Sequence, residues 1–499
     1  MVVTLLTLAV TLTGVDRAQP WRDELATWSA ATRSLGDLAR MVGTIDAATG
    51  PWYLLLHGWL ALAGDSVTAL RLPSVLAVSG AAGLTTVLGQ RLLGAPAGLL
   101  AGLLFAVLPG TSRYGQEARP YALAAFLAVL ATLLLVDVLG RGGWARWAGY
   151  AATVAALGLT HLVALTLLAA HAVIVLAPPR GRAGGTDPTP VGRYGRRPAG
   201  PRRRLGRWAL ALVPTALVLV PLVVLAGRQR SRQLDWVDLA RPTDLTGLPG
   251  GLAQSAAVGG LLLGLAALGA TRYGRRALPP TACLALPVLV LFAVALAVPI
   301  WVPRYLFFTV PFGCLLGGAA LTLTPPARTD RALPTGRVRA GRATVPGGLA
   351  VVAVAGLLGL PDQVALRRTH EWPRAATVDY RGAARVVAAG QRPGDAVVYS
   401  PRDGWLFLDL GLAYHLGPDR PRDVLAVRDQ AGRGDLWADE CPRPAACLAG
   451  VERVWLVVAG RRTDPLAAVG GTKGEALRTG FTVTRVWPRS GLTVALLTR

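Results

Sequence analysis

Charge is what this sequence has least of. Of 499 residues only 16% are charged and 53% are hydrophobic, with a mean hydropathy of +0.45. A soluble chain of this size needs far more charge to cover its surface, so a water-soluble globular protein is excluded. Cysteine is also scarce, with four in all and neither a CxxC nor a Cys/His zinc spacing. Cys283 and Cys314 fall in apolar runs and read as small hydrophobes. Cys441 and Cys447 fall in a polar stretch, where they would form a disulfide if that stretch is outside the cytoplasm. The first fifteen residues are apolar but lack a basic leader and a small-residue cleavage site, so they read as a membrane helix and not a signal peptide. At ~1.5 Å per residue that helix falls short of a full span, which leaves open whether the N-terminus is complete.

What the sequence does have is long apolar blocks, at 68–90, 121–139, 208–226, 251–270, 281–298 and 305–323. Each is close to the ~20 residues that a helix needs to cross ~30 Å of hydrocarbon. Repeated blocks of this kind predict a helical bundle in lipid, where every backbone polar group must be satisfied internally. The net charge of +24 would suit a nucleic-acid partner, but its placement argues against one. Arginines gather in short stretches between the blocks, as in cytoplasmic loops. The segment 178–207 holds Arg180, Arg182, Arg193, Arg196, Arg197, Arg202, Arg203, Arg204 and Arg207 against the single acid Asp187. Its glycines and prolines predict a flexible cytoplasmic linker. Arg272, Arg275 and Arg276 mark a second inner loop. Arg328, Arg331, Arg337, Arg339 and Arg342 mark a third, and Arg141 with Arg146 a fourth.

With the N-terminus inside, about eleven spans place all four basic loops in the cytoplasm. They lie near 1–15, 68–91, 95–109, 120–139, 146–160, 161–177, 208–226, 250–270, 281–298, 305–323 and 347–361. The loops 16–67, 110–119, 227–249 and 299–304, and everything from 362 onward, then face outward. A crossing by PWYLLLHGWLALA (51–63) would invert this, so that stretch is read as an interfacial or re-entrant helix anchored by Trp52, Tyr53 and Trp59. Arg228, Arg230, Arg232 and Arg241 in an outer loop run against the charge rule. The expected domains are a transmembrane body over 1–361 and a small extracytoplasmic α/β domain over 362–499. In the latter, strands are predicted at 395–400, 453–460, 481–487 and 492–498, and helices at 404–416 and 463–479. No glycine-rich phosphate loop follows a strand there, so nothing points to a nucleotide.

Three polar features stand at the mouths of spans. The first loop carries Trp21-Arg22-Asp23-Glu24, which on residues alone is also compatible with a solvated helix N-terminus. The second carries Tyr114-Gly115-Gln116-Glu117-Ala118-Arg119-Pro120-Tyr121, where Glu117 and Arg119 are either a structural pair or in use. The third is Pro303-Arg304-Tyr305, whose arginine could snorkel or hold a lipid phosphate. Taken with P-W-Y-L-L-L-H-x-W, A-L-R-L-P-S (69–74) and Thr160-His161, these strings resemble bacterial membrane glycosyltransferases of the GT-C fold, in the group related to protein O-mannosyltransferases and aminoarabinose transferases. The resemblance covers 16–175 well, 299–311 moderately and the tail in layout only. It departs at Pro51-Trp52, where relatives often have Pro-Pro, and in the short first span.

That resemblance implies a polyprenyl-phosphate sugar donor, an acceptor on the outer face and inversion at the anomeric carbon. Mannose is the family's default sugar and arabinose-type sugars are open; the acceptor is a glycan, a lipid or a protein. It also implies Asp23 as general base, since an acceptor hydroxyl needs one within hydrogen-bond reach. A phosphate leaving group needs cations and not an acid, for which Arg119 and Arg304, with Tyr305, are the candidates. Glu24 and Glu117 would orient the acceptor or Asp23, or hold the sugar. Tyr53, His57, Gln116, Tyr121 and His161 are expected to line the cavity. No ligand cluster points to a tightly bound metal, although some relatives depend on a divalent ion. Two rival readings remain: a polyprenyl-linked lipid transporter or flippase, for which no internal repeat is found, and a non-catalytic membrane scaffold, which has no use for paired acids.

Overall fold

Apolar runs of Leu, Ala, Val and Gly form helices because inside a bilayer the helix is the one open-chain structure that satisfies its own backbone. The computed structural model describes residues 1–177, 200–322, 345–371 and 376–499. The basic-loop residues Arg180, Arg182, Arg193, Arg196 and Arg197, and the group from Arg328 to Arg342, lie outside the described residues.

In chain order the helices are α1 (Val2–Leu12), α2 (Arg22–Ala31), α3 (Leu35–Thr44), α4 (Gly50–Ala63), α5 (Val67–Leu93), α6 (Ala95–Val107), α7 (Pro109–Gly115) and α8 (Tyr121–Arg141). There follow α9 (Trp144–Thr160), α10 (Leu167–Leu176), α11 (Pro201–Gln233), α12 (Pro242–Ala253), α13 (Ala256–Tyr273), α14 (Leu278–Ala295), α15 (Val310–Ala320) and α16 (Val345–Leu366). Each expected span is helical over most of its length. Among the described residues six helices are long and apolar enough to cross a membrane, or seven if the bent pair α6 and α7, kinked by 65°, counts as one. This is a multi-pass membrane protein.

Three expectations are corrected here. The span at 250–270 is two helices, because Gln254 takes a left-handed conformation (φ 57°) and Ser255 is extended. The linker expected to reach 207 ends earlier: Arg202, Arg203, Arg204 and Arg207 already lie on α11, which opens with Pro201 at its first turn. The same helix runs on to Gln233, so Arg228, Arg230 and Arg232 stand on its last turns and not in a loop.

The contacts divide the chain into two units. The first comprises Met1–Thr13, Leu72–Gln116 and Pro120–Val364. Small residues let its helices touch. A Cβ added to Gly89 on α5 would stand 2.5 Å from Gly98 Cα on α6, and one on Gly318 of α15 would stand 2.6 Å from Ala101 N on α6. Backbone approach of this kind replaces the hydrophobic driving force that helices lack in lipid.

The second unit comprises Gly14–Arg71, Glu117–Arg119 and Ala365–Arg499. The sequence placed 14–71 in the transmembrane body, but long-range polar contacts join it to the C-terminal residues. Arg381 N donates to Gln19 Oε1 (2.9 Å), and Arg33 Nη2 donates to the Asp435 carbonyl (2.7 Å). The C-terminal part adds α17 (Tyr380–Gly390), β1 (Ala396–Ser400), α18 (Leu408–Leu416), β2 (Arg422–Asp423), β3 (Ala426–Arg428), α19 (Gln430–Arg433), β4 (Asp439–Glu440), α20 (Pro444–Cys447), β5 (Arg453–Ala459), α21 (Gly471–Gly480), β6 (Thr482–Arg489) and β7 (Leu492–Thr498). Its main sheet runs β2-β1-β5-β7-β6, parallel from β2 to β5 and antiparallel beyond. All four predicted strands are present. The two predicted helices start late, at Leu408 and Gly471: Phe407 is left-handed (φ 49°), and Pro465 and the Gly470-Gly471 pair hold the preceding chain in turns. Cys441 and Cys447 are joined by a disulfide.

Candidate active site

The neighbouring carboxylates Asp23 and Glu24 open α2, and one residue of helix, about 100° of rotation, sends them to different surroundings. Glu24 is buried and Asp23 is half-buried. Glu24 Oε1 accepts from Arg71 Nε (2.8 Å) and from the Ala118 backbone N–H (2.9 Å). Its Oε2 accepts from Arg71 Nη2 (2.6 Å) and from the Trp21 backbone N–H (3.4 Å), closing a capping box. Four acceptances fill a carboxylate. Arg71 is equally committed, because its remaining donors go to the carbonyls of Val15 (2.6 Å), Ala18 (2.9 Å) and Gln19 (3.3 Å). Burial alone would push the Glu24 carboxyl up; the Arg71 charge and hydrogen bonds, with help from His370, outweigh it and hold Glu24 well below the usual carboxylate range.

The expectation that Glu24 handles acceptor or sugar therefore meets a side chain already occupied as an internal strut. Arg71 lies within A-L-R-L-P-S, a string that by itself assigns it no role. Its signal was there to read, an arginine heading an otherwise apolar run. Arg22, beside Asp23, pairs with the buried Glu371 (Nε–Oε2, 3.6 Å). Glu371 and His370 follow the last long helix, and no local pattern marked them.

A second group lies in the same unit. Arg119 is partly exposed and donates from Nη1 to Tyr53 Oη (3.2 Å) and, more weakly, to Thr27 Oγ1 (3.4 Å). Thr27 is one turn after Asp23 and bonds back to its carbonyl (2.9 Å). Tyr53 in turn donates to Asp46, which also accepts from Thr49 Oγ1 (2.8 Å). The structure thus brings Asp23, Arg119 and Tyr53 into one neighbourhood and adds Asp46, which the sequence reading missed. His57 is half-buried, with Nδ1 3.0 Å from the Ala31 carbonyl. Glu117 is fully buried, and its carbonyl accepts from the Arg119 N–H (2.8 Å).

In the first unit the remaining candidates assemble around Arg304. Its Nε donates to Tyr121 Oη (3.1 Å), and its guanidinium lies over the rings of Trp236 (5.5 Å) and Tyr305 (5.9 Å). His161 sits 5.2 Å from the Tyr305 ring and 5.7 Å from the Tyr121 ring. Trp236 is a further residue that the sequence did not flag. Gln116 is not available as a cavity group, since its amide donates to the carbonyls of Thr11 (2.7 Å) and Thr13 (3.0 Å). Among the described residues no group of three or more His, Cys, Asp or Glu is placed to hold a metal ion.

Similarity to known proteins follows this geometry. The family described as dolichyl-phosphate-mannose-protein mannosyltransferase matches residues 49–188. ArnT from Cupriavidus metallidurans superimposes with a TM-score of 0.62 at 15% identity, over 99% of this chain and 97% of that one. The chain has the GT-C fold. The same ArnT bound to undecaprenyl phosphate gives a TM-score of 0.62 at 14% identity. Mycobacterial arabinofuranosyltransferase AftD superimposes with a TM-score of 0.52 at 17% identity, over 100% of this chain but 39% of AftD. No curated protein matches by sequence. The GT-C likeness thus reaches both units, including the C-terminal sheet.

Proposed function

We propose that this chain is a membrane glycosyltransferase that moves a sugar from a polyprenyl-phosphate donor to an acceptor hydroxyl at the outer face, with inversion. The observation that carries the reading is the division of labour within the acid pair. Glu24 is consumed by Arg71, whereas Asp23 is half-buried at the start of α2, near the partly exposed Arg119. Asp23 is the general base. It takes the proton of the acceptor hydroxyl as that oxygen attacks the anomeric carbon, and the bond from that carbon to the phosphate oxygen breaks. The leaving group departs as polyprenyl phosphate, and Arg119 balances the charge that develops on it. In the helical unit Arg304, framed by Tyr121 and Tyr305, is proposed as a further phosphate ligand. Glu24 holds α2 in place and does not touch substrate.

The donor class is supported by the matched family's description and by the undecaprenyl phosphate named for ArnT. Mannose follows the family description, and the name of AftD makes an arabinose-type sugar the alternative to test. The outer face is supported by the arginines at the C-terminal ends of α8 and α13 and at the N-terminal end of α11, which suit the cytoplasmic side, while Arg230 and Arg232 at the far end of α11 run against the rule. The disulfide between Cys441 and Cys447 belongs to an oxidising compartment.

The test is transfer of labelled sugar in membranes containing the chain, supplied with polyprenyl-phosphate mannose or polyprenyl-phosphate arabinose. Label is expected in an acceptor fraction from one donor, with free polyprenyl phosphate released alongside. Movement of intact donor across the bilayer with no transfer would replace this reading with that of a lipid transporter. Neither transfer nor movement would leave a scaffold.

A further inference from the structure

Asp46 is a buried acid that the reaction above does not use. It stands at a left-handed position (φ 59°) just before α4, in a turn closed by Thr49 Oγ1, which donates to Asp46 Oδ1 (2.8 Å). The other oxygen, Oδ2, accepts from the hydroxyl of Tyr53, itself fully buried. A phenol has one proton to give. Because that proton goes to the carboxylate, the lone pairs of Tyr53 Oη are what Arg119 Nη1 meets at 3.2 Å. The direction of the chain is therefore fixed: Arg119 donates to Tyr53, and Tyr53 donates to Asp46. A carboxylate at the end of such a chain makes the phenol oxygen a better acceptor. It also holds a flexible guanidinium in one place.

The electrostatics link the same groups, with burial the strongest effect, so that the Asp46 carboxyl stands above its ordinary value. Burial pushes the Asp46 carboxyl up, and Arg119 is the foremost group pulling it back, ahead of the Tyr53 and Thr49 hydrogen bonds. The negative charge of Asp23 pushes it up again, so Asp46 senses both groups assigned to the chemistry.

We propose that Asp46 and Tyr53 form a positioning relay that fixes the Arg119 guanidinium for recognition of the donor's phosphate. The proposal rests on the assignment of Arg119 made above. Neither relay residue touches substrate; both act through Arg119. Tyr53 is thereby moved from the wall of the cavity to the support behind it.

The test uses the full chain in detergent, with undecaprenyl phosphate as the probe, and compares wild type with Tyr53→Phe, Asp46→Asn, Arg119→Gln and Tyr53→Phe/Arg119→Gln. Tyr53→Phe keeps the ring and removes one oxygen, so it guards against misfolding, and thermal midpoints are recorded for every variant. Tyr53→Phe and Asp46→Asn are each expected to weaken binding roughly tenfold, the range of a coupled network. The double variant is expected to bind no worse than Arg119→Gln alone. A purely structural role would lower the midpoint and make the losses additive. Wild-type affinity in Tyr53→Phe, or additive losses, overturns the relay. Failure of the wild type itself to bind undecaprenyl phosphate overturns the donor reading, and with it the relay's target.

Discussion

Two buried polar networks in this chain are made of different material. In the helical unit, Trp208 Nε1 donates to Tyr150 Oη (2.9 Å), Tyr150 meets His171 Nδ1 (2.9 Å), and His171 Nε2 meets Thr132 Oγ1 (3.0 Å). Thr132 gives its own proton to the Ala128 carbonyl (2.8 Å), so it accepts from His171. The order of donors leaves His171 neutral, with its proton on Nε2. Four helices, α8 to α11, are tied without a single charge. In the second unit the corresponding tie is Glu24 with Arg71, fully ionised and wrapped in backbone carbonyls and N–H groups. Charge in a helical membrane interior is expensive, so the buried tie among α8 to α11 is made of neutral groups, and the ion pairs of Asp137 with Arg91, Arg141 and Arg146 stand at exposed helix ends. The second unit can hold ions because loop backbone supplies their remaining partners.

The sharpest way to break this contrast is to remove one member of the charged tie. Arg71→Met leaves Glu24 buried and uncompensated, and is expected to cost about 3–5 kcal/mol. The readout is loss of monodisperse protein or a collapse of the thermal midpoint in detergent. Asp23→Asn is expected to leave the midpoint unchanged and to reduce sugar transfer by roughly 100-fold or more. The acid pair thereby separates into one structural and one chemical residue.

The pH dependence carries a sign of its own. Glu24 is held below its ordinary value of 4.5, so its contribution to stability is fully present above that value. It is lost as pH falls further towards the depressed native value, because the unfolded chain takes up the proton first. Midpoints measured from pH 7 downward should hold to about pH 5 and then decline, and Glu24→Gln should flatten that decline. Trp208→Phe gives the smallest effect, about 0.6 kcal/mol, the average for a hydrogen bond between membrane helices. A loss several times larger would show that the neutral network carries more of the bundle than this comparison assigns to it.

Much of the fold could be read from the sequence, since apolar run length is a direct physical demand of the bilayer and strand periodicity a direct demand of a half-buried sheet. The break at Gln254 was not, because a polar residue inside a glycine-rich apolar run carries no sign that its φ will be positive. Among the candidate residues, Asp23, Arg119 and Tyr53 in one unit, and Arg304, Tyr121 and His161 in the other, are marked in the sequence by charge or aromatic character at the mouth of a span. Glu24 was marked for the same reason and given the wrong surroundings, because which of two adjacent acids turns inward depends on Arg71, 47 positions away. Asp46 and Glu371 left no trace, as an isolated acid in a loop is ordinary until the fold shows what it touches.

The most direct test of the central claim is to compare Asp23→Asn with wild type in two assays on the same preparation, sugar transfer from a polyprenyl-phosphate donor and binding of undecaprenyl phosphate. This account predicts that transfer is lost while binding stays within a few-fold of wild type. Transfer at the wild-type rate by Asp23→Asn would contradict it, and would show that the half-buried acid at the start of α2 is not the base.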